Sequence, residues 1–397
     1  MLLLMVFFLF YSIFSLKNNF LFFLPVFYMG ICVYTYIGSV FFEFSRNVPF
    51  GFYEKLDVES YNSAYLYYLI ACVAFILGMQ FWKNKKTPSV DKKPIVMPEK
   101  ISFYIFLLYL FVMFLLHFGY GFNALYSRSG YTLNGSGVAY LRVIYSVFLP
   151  LICLLLPFMK KKKHRIFLIF ILFLLVQGTS SRNLIMIPSC YYVGVFLRDK
   201  KVSFFKSISI FLTVLIALSM VMNSRNFITQ GVFPNIFHFY REGIDFTFIW
   251  LALNYLSSYS LFATSLTLQD HIFDLSSFMI AINPLPSSYV DIDYMVETQK
   301  LNKNSPYPAI SMLALAGPYV VFFYYFFVAL IWGGVYKFFK KRTGFFTMFL
   351  VVLFILFTIL STQYNLRGVT RLLYYLVFLS ISLKFYYILS FNFRCKK

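Results

Sequence analysis

Charge is what this chain has least of. Only 12% of its 397 residues are charged and 14 are acidic, against roughly 25% charged residues in a soluble domain. No stretch is both long and polar, which excludes a separate soluble catalytic domain. Any chemistry must therefore be assembled from helix ends and loops. The sparse carboxylates form no cluster, which argues against an obligatory divalent metal, and no metal site is expected. The sequence has no HExxH, P-loop or GxSxG motif, no Asp-rich motif and no nucleotide site, so no cofactor is expected. Its five cysteines, Cys32, Cys72, Cys153, Cys190 and Cys395, fall mostly inside apolar runs. They show neither metal spacing nor a disulfide framework. The N-terminus lacks the charged region and cleavage site of a secretory signal and reads as a retained span. No internal repeat of fixed period is evident.

What is present is apolar: 60% of the residues are hydrophobic and 23% aromatic, with 54 Phe and 33 Tyr. Apolar runs near 20 residues recur along the chain and predict membrane-spanning helices, because lipid cannot satisfy open backbone groups. The expected fold is all-α, a polytopic transmembrane helical bundle forming one integral membrane domain over 1–397. About 11 spans are expected, near 1–16, 20–41, 63–82, 101–119, 142–159, 166–178, 183–197, 202–222, 309–336, 345–362 and 372–391. The Lys/Arg-rich segments 83–100, 160–165, 198–201, 337–342 and 394–397 are assigned to the cytoplasm. Alternation then makes 223–308 a large periplasmic loop containing short helices. Its softer apolar stretch 246–266 reads as an interfacial or re-entrant helix, since one extra span would reverse everything downstream. A net charge of +21 would suggest nucleic acid in a soluble protein. Here it orients spans, and no nucleic-acid partner is expected; the lipid bilayer is.

The two cations divide differently. Of 23 Lys, 20 fall on the cytoplasmic side, whereas eight of 12 Arg fall outside: Arg46, Arg128, Arg142, Arg182, Arg225, Arg241, Arg367 and Arg371. The orientation rule explains the lysines and predicts the opposite for these arginines. A planar guanidinium binds phosphate or carboxylate with two parallel hydrogen bonds, which ammonium cannot do. Pairing with the 11 acidic residues that also lie outside is the plainer explanation.

Three constellations could carry chemistry. Between the basic flanks KKKKHR and RDKK the chain must leave and return within 32 residues, where two full spans need roughly 40. The turn GTSSRN (178–183) should then lie below the outer surface, with Arg182 at partial depth, where an Arg faces a partner or an anionic headgroup. Snorkelling to the interface is the alternative. The second is HFYREGID: in a helix His238, Arg241, Glu242 and Asp245 share one face and could supply a general base and a phosphate clamp. A merely solvated face is the alternative. The third is Arg367 and Arg371 in YNLRGVTR, four residues apart, serving an anion or anchoring a membrane edge. Arg225 ends a span in the same way. His117, late in a span, reads as a satisfied interior histidine.

On these features the chain resembles the O-antigen polymerases, the Wzy-type polymerases of oligosaccharide repeat units. The resemblance covers the whole chain as architecture and rests locally on GTSSRNLIMIP (178–188), the Arg-bearing outer loop, and SPYPAISMLALAGPYVVFFYYF (305–326). It implies a glycosyltransferase at the periplasmic face of the bacterial inner membrane. Its substrates would be undecaprenyl-pyrophosphate-linked glycans, as donor and acceptor, with a chain-length regulator protein among the partners to consider. It further implies pyrophosphate binding by Arg182, then Arg225 and Arg241, with Arg367 and Arg371 as further candidates on their own spacing; Glu242 and His238 are candidates for the catalytic base, which the resemblance does not fix. A flippase for the same lipid-linked glycan and an O-antigen ligase are the competing readings; a membrane acyltransferase, resting on His117 alone, is thinner.

Overall fold

The computed structural model describes residues 2–16, 20–48, 51–83, 100–130, 137–199, 204–243, 245, 247–285, 289–302, 305–340 and 344–394. The basic segments at 83–100, 198–201, 337–342 and 394–397 lie wholly or partly outside them. The chain opens with α1 (Leu2–Leu16), α2 (Phe23–Val40) and α3 (Val58–Lys83). It continues through α4 (Ile101–Tyr120), α5 (Phe122–Tyr126), β1 (Arg128–Ser129), α6 (Ala139–Leu155), α7 (Lys162–Gly178), α8 (Met186–Asp199), α9 (Phe204–Ser224), β2 (Thr229–Gln230), α10 (Val232–Glu242) and α11 (Thr247–Ser257). It closes with α12 (Tyr259–Asp270), α13 (Leu275–Ile282), α14 (Ile292–Thr298), β3 (Lys300–Asn302), β4 (Ser305–Pro306), α15 (Ala309–Leu315), α16 (Pro318–Lys340), α17 (Gly344–Gln363) and α18 (Leu366–Arg394). The fold is all-α. The strands only form two short antiparallel ribbons, β1 with β2 and β3 with β4.

Each predicted span overlaps at least one helix. Among the described residues, five helical stretches are long and apolar enough to cross a membrane: Phe20–Val40, Val58–Trp82, Ile101–Tyr120, Ala139–Phe158 and Pro318–Phe338. At the other predicted spans the apolar helical stretches are shorter, as at Leu2–Phe14, Ile208–Ser224 and Leu350–Gln363, or include side chains outside the described residues. Two expectations need correction. The span expected at 309–336 is broken: α15 ends at Leu315, and Gly317, at φ 106°, turns the chain before Pro318 opens α16. The stretch 246–266 forms two helices separated at Ser258, and the second is not interfacial, because Tyr259–Thr267 are all buried in the protein.

Contacts divide the chain into two compact units, Met1–Val90 with Asn254–Lys397, and Asp91–Leu253. In the first, α3 lies against α16, with α12 packed on α3 and α15. Its interior is crossed by neutral hydroxyls. Tyr28 Oη meets Tyr325 Oη at 2.7 Å and Ser361 Oγ at 2.6 Å, Tyr68 Oη meets Ser260 Oγ, and Thr264 Oγ1 meets Ser311 Oγ at 2.8 Å. Such bonds between helices each contribute about 0.6 kcal/mol on average where water is absent. α3 approaches α16 closely at Gly78, where a Cβ would stand 2.7 Å from Ala329 Cβ and from the Phe326 carbonyl oxygen. Gly78→Leu should overpack this contact by about 1–3 kcal/mol and lower the thermal unfolding midpoint in detergent. Gly30→Leu, where nothing lies within 4 Å, should leave it unchanged. Equal midpoints for both variants would show that the contact does not limit stability.

In the second unit α4 and α8 pack on α6, and α10 on α7. The helices α7 and α8 have 17 and 14 residues, roughly 25 and 21 Å at a rise of about 1.5 Å. Both fall short of a hydrocarbon core about 30 Å thick, as the 32-residue excursion requires.

Candidate functional site

A helix leaves its last carbonyls without intrahelical donors, and burial makes each a cost unless a partner is supplied. At the end of α7 the residues Gln177, Thr179 and Ser180 are buried, and Ser180 holds φ at 51°. Four successive carbonyls there are satisfied by side chains. Asn235 Nδ2 donates to Gln177 O at 3.2 Å, Arg128 Nη1 to Gly178 O at 2.8 Å, Arg128 Nη2 to Thr179 O at 3.3 Å, and Arg225 Nε to Ser180 O at 3.3 Å. Arg128 also donates to Ala124 O at 3.0 Å and Gln230 Oε1 at 3.1 Å. Two cations also suit the negative end of a helix. Gly178 is required for fit: a Cβ would lie 2.4 Å from Val232 Cγ2, on α10.

The turn then runs directly into a 3-10 turn at Arg182–Ile185, with Ser181 Oγ accepting from the Asn183 amide at 3.3 Å. The backbone of Arg182 thus starts a short helical turn immediately after a buried, arginine-capped bend; its side chain lies outside the described residues. Beside the bend, both amide atoms of Gln177 and Oδ1 of Asn235 are buried and meet no protein partner. Buried amides in this state usually face water or a ligand.

The helix α10 stops at Glu242, where Gly243 takes φ 77°. This corrects the expected shared face of four residues, because Asp245 lies beyond the helix. Its Oδ1 instead accepts from the Thr247 amide at 2.9 Å and the Thr247 hydroxyl at 2.7 Å at the start of α11. Those bonds, the hydroxyl first, hold its carboxyl below the usual range. On α10 itself His238 Nδ1 stands 3.6 Å from Glu242 Oε1, an ion-pair distance too long for a hydrogen bond. The His238 ring stacks on Phe227 at 4.3 Å. Arg241 and Glu242 are exposed. Phe233, Ile236, Phe237 and Tyr240 recur at one-turn spacing and are 66, 42, 60 and 89% exposed, while the buried residues are Val232 and Asn235. An outward face of four large apolar residues is unlike that of a water-soluble surface helix.

The chain matches no protein-family model, no curated protein and no solved structure. Its site is therefore read from its own geometry.

In the first unit Arg367 and Arg371 come together at the end of α13. Arg367, 4% exposed, donates from Nη1 to Ile280 O at 2.5 Å and Asn283 O at 3.2 Å, and from Nη2 to Leu285 O at 2.8 Å. Arg371 Nη2 reaches Leu285 O at 3.3 Å, Thr370 Oγ1 reaches Ala281 O at 3.3 Å, and Tyr374 Oη donates to Ile282 O. Arg46 does the same for α2, donating to Ser39 O at 2.9 Å while pairing with Glu43 at 3.0 Å. Arg46, Arg128, Arg225, Arg367 and Arg371 thus all donate to carbonyls at or just beyond helix ends, a role that accounts for five of the eight arginines expected on the outer side. His117 is satisfied by Met113 O at 2.7 Å and Tyr126 Oη at 3.1 Å. Cys32, Cys72, Cys153 and Cys190 are buried free thiols.

Sequence reasoning did not single out Arg128, Gln230, Asn235 or Gln177. Arg128 was visible only as one member of the arginine excess. Asn235 and Gln230 carried no signal, since Asn235 meets Gln177 O and Ser180 Oγ, 58 and 55 positions away, and Gln230 Oε1 meets Arg128, 102 positions away.

Proposed function

We propose that this chain is a Wzy-type polymerase of the bacterial inner membrane that joins undecaprenyl-pyrophosphate-linked repeat units into O-antigen or a related polysaccharide at the periplasmic face. The observation that carries this reading is the bend at 177–182. Two arginines brought from separate parts of the sequence, Arg128 and Arg225, hold a buried turn that leads into Arg182 and is lined by unpartnered amide atoms of Gln177 and Asn235, between two short helices. In this reading Arg128 and Arg225 hold the bend and Arg182 meets the pyrophosphate, with Arg241 at the exposed end of α10. Arg367 and Arg371 hold the α13 end instead of binding substrate.

In the reaction the acceptor sugar hydroxyl attacks the anomeric carbon of the donor glycan. The bond from that carbon to the pyrophosphate oxygen breaks, and the lipid pyrophosphate departs with its electron pair. The hydroxyl proton passes to Glu242 or His238. Guanidinium groups at the leaving oxygen stabilise the charge that grows as the bond breaks. The outward apolar face of α10 suits a helix lying in the membrane interface, at the level where a lipid pyrophosphate resides.

A flippase is the second reading. The break between α15 and α16 and the buried short helix α12 favour it, because transporters build sites from discontinuous helices. The surface glycan ladder of a deletion strain separates the two. A core bearing one repeat unit is expected. A bare core would instead indicate a flippase, or a ligase acting on the same donor, and would end the polymerase reading.

A further inference from the structure

Among the described residues five side-chain amides are buried: Gln177, Gln230, Asn235, Asn254 and Gln299. Burial strips such a group of water, and an end left unmet is a net cost of folding, so each should be bonded at both ends. Asn254 is, accepting from Tyr34 Oη at 2.7 Å and donating to Phe44 O at 2.7 Å. Gln230 is as well, accepting from Arg128 at 3.1 Å and donating to Arg225 O at 3.2 Å. Gln299 donates to Ser277 Oγ at 2.7 Å. Asn235 donates to Gln177 O and leaves Oδ1 unmet, while Gln177 has a partner at neither Oε1 nor Nε2. Gln177 is thus the one of the five whose side chain makes no hydrogen bond. It lies on the last turn of α7, 2% exposed, where leucine would fill the same space without an unmet polar atom.

The unmet atoms define what they would bind. Gln177 offers one donor group and one acceptor, and Asn235 Oδ1 offers a second acceptor. A cation is disfavoured by Arg128 and Arg225, which hold the same turn at Gly178 O and Ser180 O. An anion would meet one amide donor and two carbonyl oxygens that repel it, and an acyl chain would leave all three atoms unmet. What fits is a neutral group that both donates and accepts, a hydroxyl. We propose that Gln177 and Asn235 Oδ1 bind hydroxyl groups of the sugar attached to the lipid pyrophosphate, a role that rests on the bend being the place where that pyrophosphate lies. The sugar ring need not be enclosed. Only hydroxyl oxygens have to reach the amides, and the turn comes to the surface at the partly exposed Ser181 and Asn183. A site built in this way rejects a ligand that lacks the hydroxyls, because its own buried groups would then stay unmet. Arg182 holds the carrier in this arrangement, and the amides read the sugar.

Water carries the same O–H chemistry, so the test separates the two sources. Gln177→Met keeps the length of the side chain and removes both polar atoms; Asn235 is left in place because its Nδ2 holds the bend. Binding is measured by native mass spectrometry of the full-length chain in detergent, with undecaprenyl pyrophosphate and with lipid-linked repeat units extracted from the deletion strain. The wild-type chain should bind the glycan-bearing lipid about tenfold more tightly or better. Gln177→Met should lose that preference and bind bare undecaprenyl pyrophosphate as before. Its thermal unfolding midpoint should equal or exceed that of the wild type, since an unmet buried amide has been removed. A lowered midpoint would mean that Gln177 holds a structural water and would overturn the proposal. So would a preference retained in the variant, an equal loss of both lipids, or no preference in the wild-type chain. Elongation is not the readout, so the polymerase reading can fail on the glycan ladder while the sugar site stands.

Discussion

Arg128→Ala is expected to collapse the bend at the end of α7 and with it the activity. The half-buried guanidinium supplies donors to Ala124 O, Gly178 O, Thr179 O and Gln230 Oε1. Removing it strands several buried acceptors at once, and an unsatisfied buried group costs about 1–3 kcal/mol. A loss of about 3 kcal/mol or more is the expected scale, reduced if water enters the gap. Arg128→Lys should recover little, because one ammonium cannot span acceptors arranged for a planar fork. The checks are the thermal unfolding midpoint of the purified chain and the surface glycan ladder. A wild-type midpoint in Arg128→Ala would show that the bend is held by other contacts.

Arg182→Ala should act through chemistry and leave folding intact. If Arg182 meets the leaving pyrophosphate, its loss removes charge stabilisation from the transition state, which for a single such donor is worth about 10²–10³ in rate. The ladder should shorten to single repeats while membrane protein levels and the unfolding midpoint stay normal, and Arg182→Lys should restore elongation only slightly. The contrast with Arg128 is informative, since one variant loses stability and activity together and the other activity alone. Normal ladders in both Arg182 variants would remove this residue from the reaction.

The helices were legible because a continuous apolar run in lipid has no alternative to helix. What hydropathy could not distinguish was lipid from protein interior. The stretch 259–267 is equally apolar in either setting, and only packing against α3 and α15 reveals which applies. The break before α16 was written in the sequence as Gly317-Pro318, a turn-forming pair, but the apolarity on both sides masked it. The arginine excess was legible as a count and open as to mechanism. Binding phosphate and capping a helix end both call for a planar set of donors, so residue type alone cannot separate them. Gly243 could have been read as the stop for α10, which would have removed Asp245 from the proposed face.

The helix α10 carries a practical consequence for reconstitution. It is tethered inward by hydrogen-bonding atoms and presents Phe233, Phe237 and Tyr240 to its surroundings. Micelles, which curve away from a protein and exchange rapidly, support such an element poorly. Turnover measured after detergent extraction should therefore underestimate the rate in nanodiscs, even for preparations that are fully folded by every spectroscopic criterion.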